Sequence, residues 1–243
     1  MKKLCCLIAV AVFVFTLSGG CFAVENEPQV SAKAAVVIEA GTGRVVFGKN
    51  ENAKLPMAST TKIMSVLLTL ESGDLDSEFV VDSEAVKTEG SSMGLMEGDI
   101  VSKRDLCIGM LLPSGNDAAN CAAVKVGGSM AGFADMMNAK ASRLGLKNTH
   151  FVTPSGLHDD EHYSTAYDMA QLTSFALKNE DFRAICSQKS IKLAFGDPPY
   201  DRWLANTNKL LGDKKPDYIV IQHMEPDHSA SLTDFLREYP ETA

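Results

Sequence analysis

At 243 residues, 45% of them hydrophobic, the chain is long enough for one sizeable domain, or a domain with a small appendage, and too apolar to be disordered. Its formal net charge of −8 argues against nucleic acid as the partner. Of six cysteines, Cys5, Cys6 and Cys21 fall in the first segment, and the odd trio Cys107, Cys121 and Cys186 is not a disulfide framework.

Residues 1–23 have the three parts of a secretory signal: Lys2 and Lys3, an apolar stretch from Leu4 to Leu17, and small residues ending in Cys21-Phe22-Ala23. The mature chain is expected to start near Val24, with a charge of about −10 once the two leader lysines are gone. An uncleaved anchor is the alternative, but the apolar run is short for a membrane span of about 20 residues. Cys21 after Ser18-Gly19-Gly20 gives only a faint lipoprotein signature. Next, Ala34 to Ala40 and Arg44 to Lys49 are short runs rich in Val, Ile and Phe around Gly41-Thr42-Gly43, the pattern of a β-hairpin.

Pro56 then precedes Ser59-Thr60-Thr61-Lys62 and an apolar run in which Ile63, Met64, Val66, Leu67, Leu68 and Leu70 leave almost no polar face, with Gly73 as a stop. A helix apolar all round belongs inside a core. Residues 74–99 lack a sustained period and read as loops and short strands. From Lys103 a helical spacing runs through Leu106, Met110 and Leu111, breaks at Pro113-Ser114-Gly115-Asn116, and resumes at Asp117 with Ala118, Ala119, Ala122 and Ala123. Cys107 and Cys121 fit these helices as small core residues. Phe133, Met136, Met137, Ala141 and Leu144 keep a helical spacing up to Gly145; Phe151 to Leu157 is a loop; and Ser164 or Thr165 can cap a helix carrying Met169, Leu172 and Ala176.

Three apart at a helix start, Ser59 and Lys62 share a face, so the amine can take the hydroxyl proton while the helix N-terminus favours a developing oxyanion. The turn at Ser114-Gly115-Asn116 adds a hydroxyl that can relay a proton and a carboxamide that can hold a substrate amide. Together these resemble S-x-x-K and S-x-N, the first two signatures of penicillin-binding proteins and serine β-lactamases. Glu97-Gly98-Asp99, Leu112 to Ala119, Thr153-Pro154-Ser155-Gly156-Leu157, His162 to Ala166 and Asn206-Thr207-Asn208 extend the likeness. From about residue 32 to 211 the chain resembles the low-molecular-weight D-alanyl-D-alanine carboxypeptidases.

The resemblance implies an α/β fold of the serine β-lactamase and transpeptidase type, with a helical core and an antiparallel sheet. It implies an exported serine acyl-transfer enzyme of the cell envelope that acts on peptidoglycan stem peptides and needs no metal or cofactor. Ser59 would attack the carbonyl between the two terminal D-alanines, Lys62 would be the general base and Ser114 would pass the proton to the leaving amine. Asn116 would bind the substrate backbone, and the Ser59 N–H would be one oxyanion donor. Desolvation and a nearby positive charge would keep Lys62 neutral part of the time. A β-lactam would stall at the same ester. His158 and His162 are left with a structural role, because Lys62 makes a histidine base unnecessary. The family often carries a C-terminal membrane-surface helix after another domain, a region expected to be missing here. Nothing specifies an oligomeric state.

The chain also departs from the pattern. No K-T-G follows Asn206-Thr207-Asn208, and the nearest string, Lys87-Thr88-Glu89-Gly90, is in the wrong place with glutamate where glycine allows close substrate approach. In the family that strand supplies a lysine and a hydroxyl for the substrate carboxylate and the second oxyanion N–H, and one such donor is worth roughly a hundredfold to a thousandfold in rate. The sheet is therefore expected to be truncated at its C-terminal strands, leaving the 34–49 hairpin without neighbours.

From about Gly212 the sequence changes character, with a strand Tyr218 to Ile221, a loop bearing His223, Glu225, Asp227 and His228, and a helix through Leu232, Phe235 and Leu236. Imidazole and carboxylate ligands suit iron or zinc, and this segment resembles the start of the metal site of flavodiiron proteins, without their downstream ligands or flavin domain. No functional metal centre is expected. The expected organisation is a signal peptide at 1–23, a truncated carboxypeptidase domain at 24–212 and a foreign tail at 213–243, joined near Gly212, packed as a makeshift strand or left loose. Two rivals stand beside the enzyme reading: an inactive relic or fusion product that binds cell-wall peptide without turnover, and a metal-binding redox fragment.

Overall fold

The computed structural model describes residues 30–196, 198–206 and 218–222, the last of these as backbone. The leader at 1–23 and the tail residues His223, Glu225, Asp227 and His228 lie outside the described residues. Among the described residues no group of His, Cys, Asp or Glu could hold a metal, and no helix is long and apolar enough to cross a membrane.

The apolar run after Ser59 becomes the central helix. A single 3-10 turn, Ala58–Thr61, leads into α1 (Lys62–Glu71). Val66 and Leu70 of α1 join one core with Leu106, Met110, Ala118 and Ala122, while Met64, Leu67 and Leu68 join a second with Phe133, Met137, Phe151 and Leu172. That two-sided burial is what an all-round apolar pattern requires. Even the polar residues Ser65 and Thr69 of α1 are buried, and they are satisfied locally: Ser65 Oγ donates to the Pro154 carbonyl at 2.6 Å and Thr69 Oγ1 to the Ser65 carbonyl at 2.7 Å. Buried Lys103 places its ammonium on Ser72 Oγ and the Gly73 carbonyl, at the C-terminal end of α1 where a cation is favoured.

Helices α2 (Lys103–Leu111), α3 (Asn116–Gly127), α4 (Met130–Leu144) and α5 (Ala166–Ala176) follow the sequence spacing. Two turns of chain are too short to show a helical period, so α6 (Glu180–Cys186) escapes the sequence reading. Ser102 and Asp105 form a reciprocal capping box on α2, and Thr165, not Ser164, caps α5. Cys107, Cys121 and Cys186 are free and buried; burial pushes the Cys121 and Cys186 thiols up to about 12 and about 11, as befits inert core residues.

Strands β1 (Ala35–Glu39) and β2 (Val45–Lys49) form the expected hairpin. β3 (Glu78–Val80) pairs with β4 (Ile100–Ser102), and β5 (Ser190–Phe195) with β6 (Tyr200–Ala205), a hairpin the sequence reading leaves out. The expectation that the first hairpin lacks neighbours is corrected by β7 (Tyr218–Gln222), which runs antiparallel to β1 from Ala35 opposite Gln222 to Glu39 opposite Tyr218. The sheet order is β2-β1-β7. The physical reason lies in β1: Ala35, Val36, Val37 and Ile38 are all buried, Val36 and Ile38 against Ala166 and Ala170 of α5. Backbone groups buried this way need partners on both edges.

Candidate active site

The nucleophile turn is built around an unusual backbone. Ala58 has φ +45, left-handed for a residue with a Cβ, and this turns exposed Ser59 out at the mouth of α1. The turn is held from outside by the 153–157 loop, where Gly156 (φ +87) packs so tightly that a Cβ there would collide with the Ala58 carbonyl. Only glycine satisfies both demands.

Behind Ser59, the Lys62 side chain is buried and its three N–H groups meet three acceptors: Ser59 Oγ at 3.1 Å, Asn116 Oδ1 at 2.7 Å and the Ser155 carbonyl at 2.9 Å. Burial lowers its pKa from 10.5 to about 8, against the opposing pull of the Asp117 carboxylate. The nearby positive charge anticipated from sequence is replaced here by an anion, and desolvation does the work. A neutral amine would keep two N–H bonds, to Asn116 and Ser155, and aim its lone pair at the Ser59 hydroxyl. That is the arrangement of a base beside a nucleophile.

The Ser114-Gly115-Asn116 turn enters from the start of α3. Ser114 is left-handed at φ +60 and half-buried, two residues from Asn116, and makes no hydrogen bond to Ser59 or Lys62 among the described residues. The Asn116 carboxamide accepts from Lys62 and donates one Nδ2–H to the Glu89 carbonyl at 2.8 Å. Among the described residues its second Nδ2–H meets no acceptor, so it can serve a ligand carbonyl. The string Lys87-Thr88-Glu89-Gly90 therefore does border the site, through its backbone and from the α3 side, not as a strand beside the nucleophile.

Three details of the site come from the structure, one of them the contacts behind the structural role expected of His162. The Ser155 carbonyl is a backbone group whose only signal is the Thr153-Pro154-Ser155-Gly156-Leu157 string. Buried His162 accepts the amides of Val152 and Thr153 at Nδ1 (3.0 and 3.2 Å), so its proton sits on Nε2 and is donated to Thr61 Oγ1 at 2.8 Å. Burial lowers that imidazole to about 4, so it ties loop to turn as a neutral ring. Among the described residues, exposed His158 reaches only Asp160, at 3.4 Å. His162 thus has the expected structural role, while His158 lies on the surface. The third is Asp117, one residue past Asn116.

The sequence profile of the D-alanyl-D-alanine carboxypeptidase family matches residues 22–221. The chain belongs to this family. It is 36% identical over 224 residues to the D-alanyl-D-alanine carboxypeptidase DacF of Bacillus subtilis, covering 87% of this chain and 57% of that protein. With a D-alanyl-D-alanine carboxypeptidase of a Streptomyces species it shares 33% over 203 residues, 76% of this chain and 69% of the relative. The chain thus spans little more than half the length of its Bacillus relative. Among solved structures, the Mycobacterium tuberculosis D-alanyl-D-alanine carboxypeptidase superposes with a TM-score of 0.71 at 33% identity, covering 76% of this chain and 69% of that one. The Streptomyces K15 DD-transpeptidase gives 0.71 at 30%, covering 79% of each. The D-alanyl-D-alanine carboxypeptidase family member described here therefore has the penicillin-binding transpeptidase fold.

Proposed function

We propose that the chain is a serine-type D-alanyl-D-alanine carboxypeptidase of the cell envelope, exported by its leader, that removes the terminal D-alanine of peptidoglycan stem peptides. The observation that carries this is the Ser59 Oγ to Lys62 Nζ contact of 3.1 Å with the amine desolvated and lowered to about 8. Neutral Lys62 takes the Ser59 proton as Oγ attacks the carbonyl between the two D-alanines. The second Nδ2–H of Asn116 holds the substrate backbone, the Ser59 N–H stabilises the oxyanion, and Ser114 passes the proton to the departing D-alanine amine. Water then cleaves the acyl-enzyme, and a β-lactam, whose leaving group stays attached, stops at that ester. The names of the relatives support the reaction class.

The missing K-T-G favours a second reading, a domain that binds or acylates without efficient turnover. Intact mass after incubation with benzylpenicillin separates them. A single adduct on the wild-type protein and none on Ser59→Ala is expected. No adduct on soluble, folded wild type would leave the peptide-binding reading.

A further inference from the structure

Asp117 is a buried carboxylate with no place in the acyl-transfer roles above. It lies in the first turn of α3 and is 1% exposed. Oδ1 accepts from the amides of Met93 (3.0 Å) and Ala118 (2.9 Å); Oδ2 accepts from Ser92 Oγ (2.5 Å) and the amides of Gly94 (3.0 Å) and Leu95 (2.9 Å). Three successive amides thus wrap one carboxylate, a strong charge-assisted arrangement. The segment it fixes continues to Ser91, whose carbonyl accepts the Asn116 amide at 2.7 Å, and to Glu89, whose carbonyl holds the Asn116 side chain. From the far side Arg202 of β6, lying 4.0 and 4.1 Å from the ring centroids of Phe195 and Tyr200, donates to the Gly94 carbonyl and to Asp99. Residues 92–95 are clamped from both edges.

We propose that Asp117 is a positioning residue for acyl transfer: through the 89–95 segment it holds the Asn116 carboxamide against Lys62, and it stands behind Lys62 as the counter-charge. This rests on the acyl-transfer reading above. Of the groups around Lys62, α3 presents the Asn116 carboxamide and the Asp117 anion, the 153–157 loop presents the Ser155 carbonyl, the 89–91 segment reaches it only through Asn116, and the neighbouring Thr61–His162 pair is neutral above about pH 4. Removing the anion leaves burial unopposed, so the Lys62 amine should titrate lower. In Asp117→Asn the new carboxamide would also turn N–H donors toward the backbone donors of 92–95 and loosen that segment.

The test compares the full chain with Asp117→Asn and Ser92→Ala by three readouts. These are the titration of the Lys62 amine by carbon-13 lysine NMR, with the resonance assigned by its loss in Lys62→Met; hydrogen exchange across 89–96; and acylation by a fluorescent penicillin. In Asp117→Asn the Lys62 midpoint should fall, exchange at 93–95 should quicken and acylation should slow by about tenfold or more at pH 8. Ser92→Ala keeps the anion, so exchange and acylation should change by a few fold with the midpoint unmoved. An unmoved midpoint with wild-type exchange in Asp117→Asn overturns the proposal. Should that variant not fold, wild-type exchange and acylation in Ser92→Ala overturn it. A wild-type protein that is never acylated defeats the acyl-transfer reading alone, because titration and exchange still decide the role of Asp117.

Discussion

In the acyl transfer proposed above Lys62 is a base only when neutral, and burial that lowers its pKa to about 8 ties that reaction to alkaline pH. Acylation should therefore rise about tenfold per pH unit below pH 8 and level off above it, a slope measurable with a fluorescent penicillin. The same lowered pKa has a stability consequence of definite sign. Between about 8 and 10.5 the unfolded chain binds the lysine proton and the folded chain does not, so stability gains with rising pH across that window. His162 behaves alike at lower pH: stability present above about 6.5 is lost as pH falls toward about 4, by up to about 3 kcal/mol. Denaturant titrations from pH 7 to 4 should show that loss in wild type and a flatter profile in His162→Gln. At this scale the contact between Ser59 and Lys62 is readable from a spacing of three, because a helix start brings such residues together. The Ser155 carbonyl is not readable, because every residue has one and only the folded loop decides which carbonyl meets the amine. Asp117 hides for another reason: an acidic residue in a first helical turn looks like dipole complementation until the 92–95 backbone is seen around it.

Elements meet in this protein through small residues, and Gly156 is the tightest case. Adding a methyl group strikes the Ala58 carbonyl as well as straining a left-handed backbone, whereas Gly145 (φ +75), at the end of α4, has open space at the same position. Gly145→Ala should cost about 1 kcal/mol, from backbone strain alone. Gly156→Ala should cost more and also abolish acylation by displacing the nucleophile turn, so thermal melts and penicillin labelling together distinguish the two. Leu67→Ala, in the second core, should cost about 2–5 kcal/mol with Ser59 and Lys62 left in place. Helices α1 to α5 are evident in the sequence because each is long enough to show its period and is capped by Ser102, Ser129 or Thr165, or ended by glycine. The β5–β6 hairpin is not. Its inner face is completed by Arg202, a cation that reads as surface until two aromatic rings and a carboxylate enclose it.

Across the whole molecule the three-stranded sheet shows how a strand acquires its partner. The Val/Ile run at 218–222 signals a strand, but its partner depends on β1 offering a buried, unpaired edge, a property of the folded body and not of the run itself. Removing residues 213–243 should strip that edge and lower the melting temperature by several degrees, measured by circular dichroism against the full chain. Acylation tells of more than chemistry. Lys62 meets Ser155 across 93 residues of chain and Asn116 across 54, and His162 meets Thr61 across 101. Contacts of such sequence separation form late, after the intervening loops have closed. A penicillin that reacts at Ser59 is consequently a clock for folding: during refolding its covalent label should accumulate only in molecules that have completed their most distant contacts, trailing the recovery of helical signal.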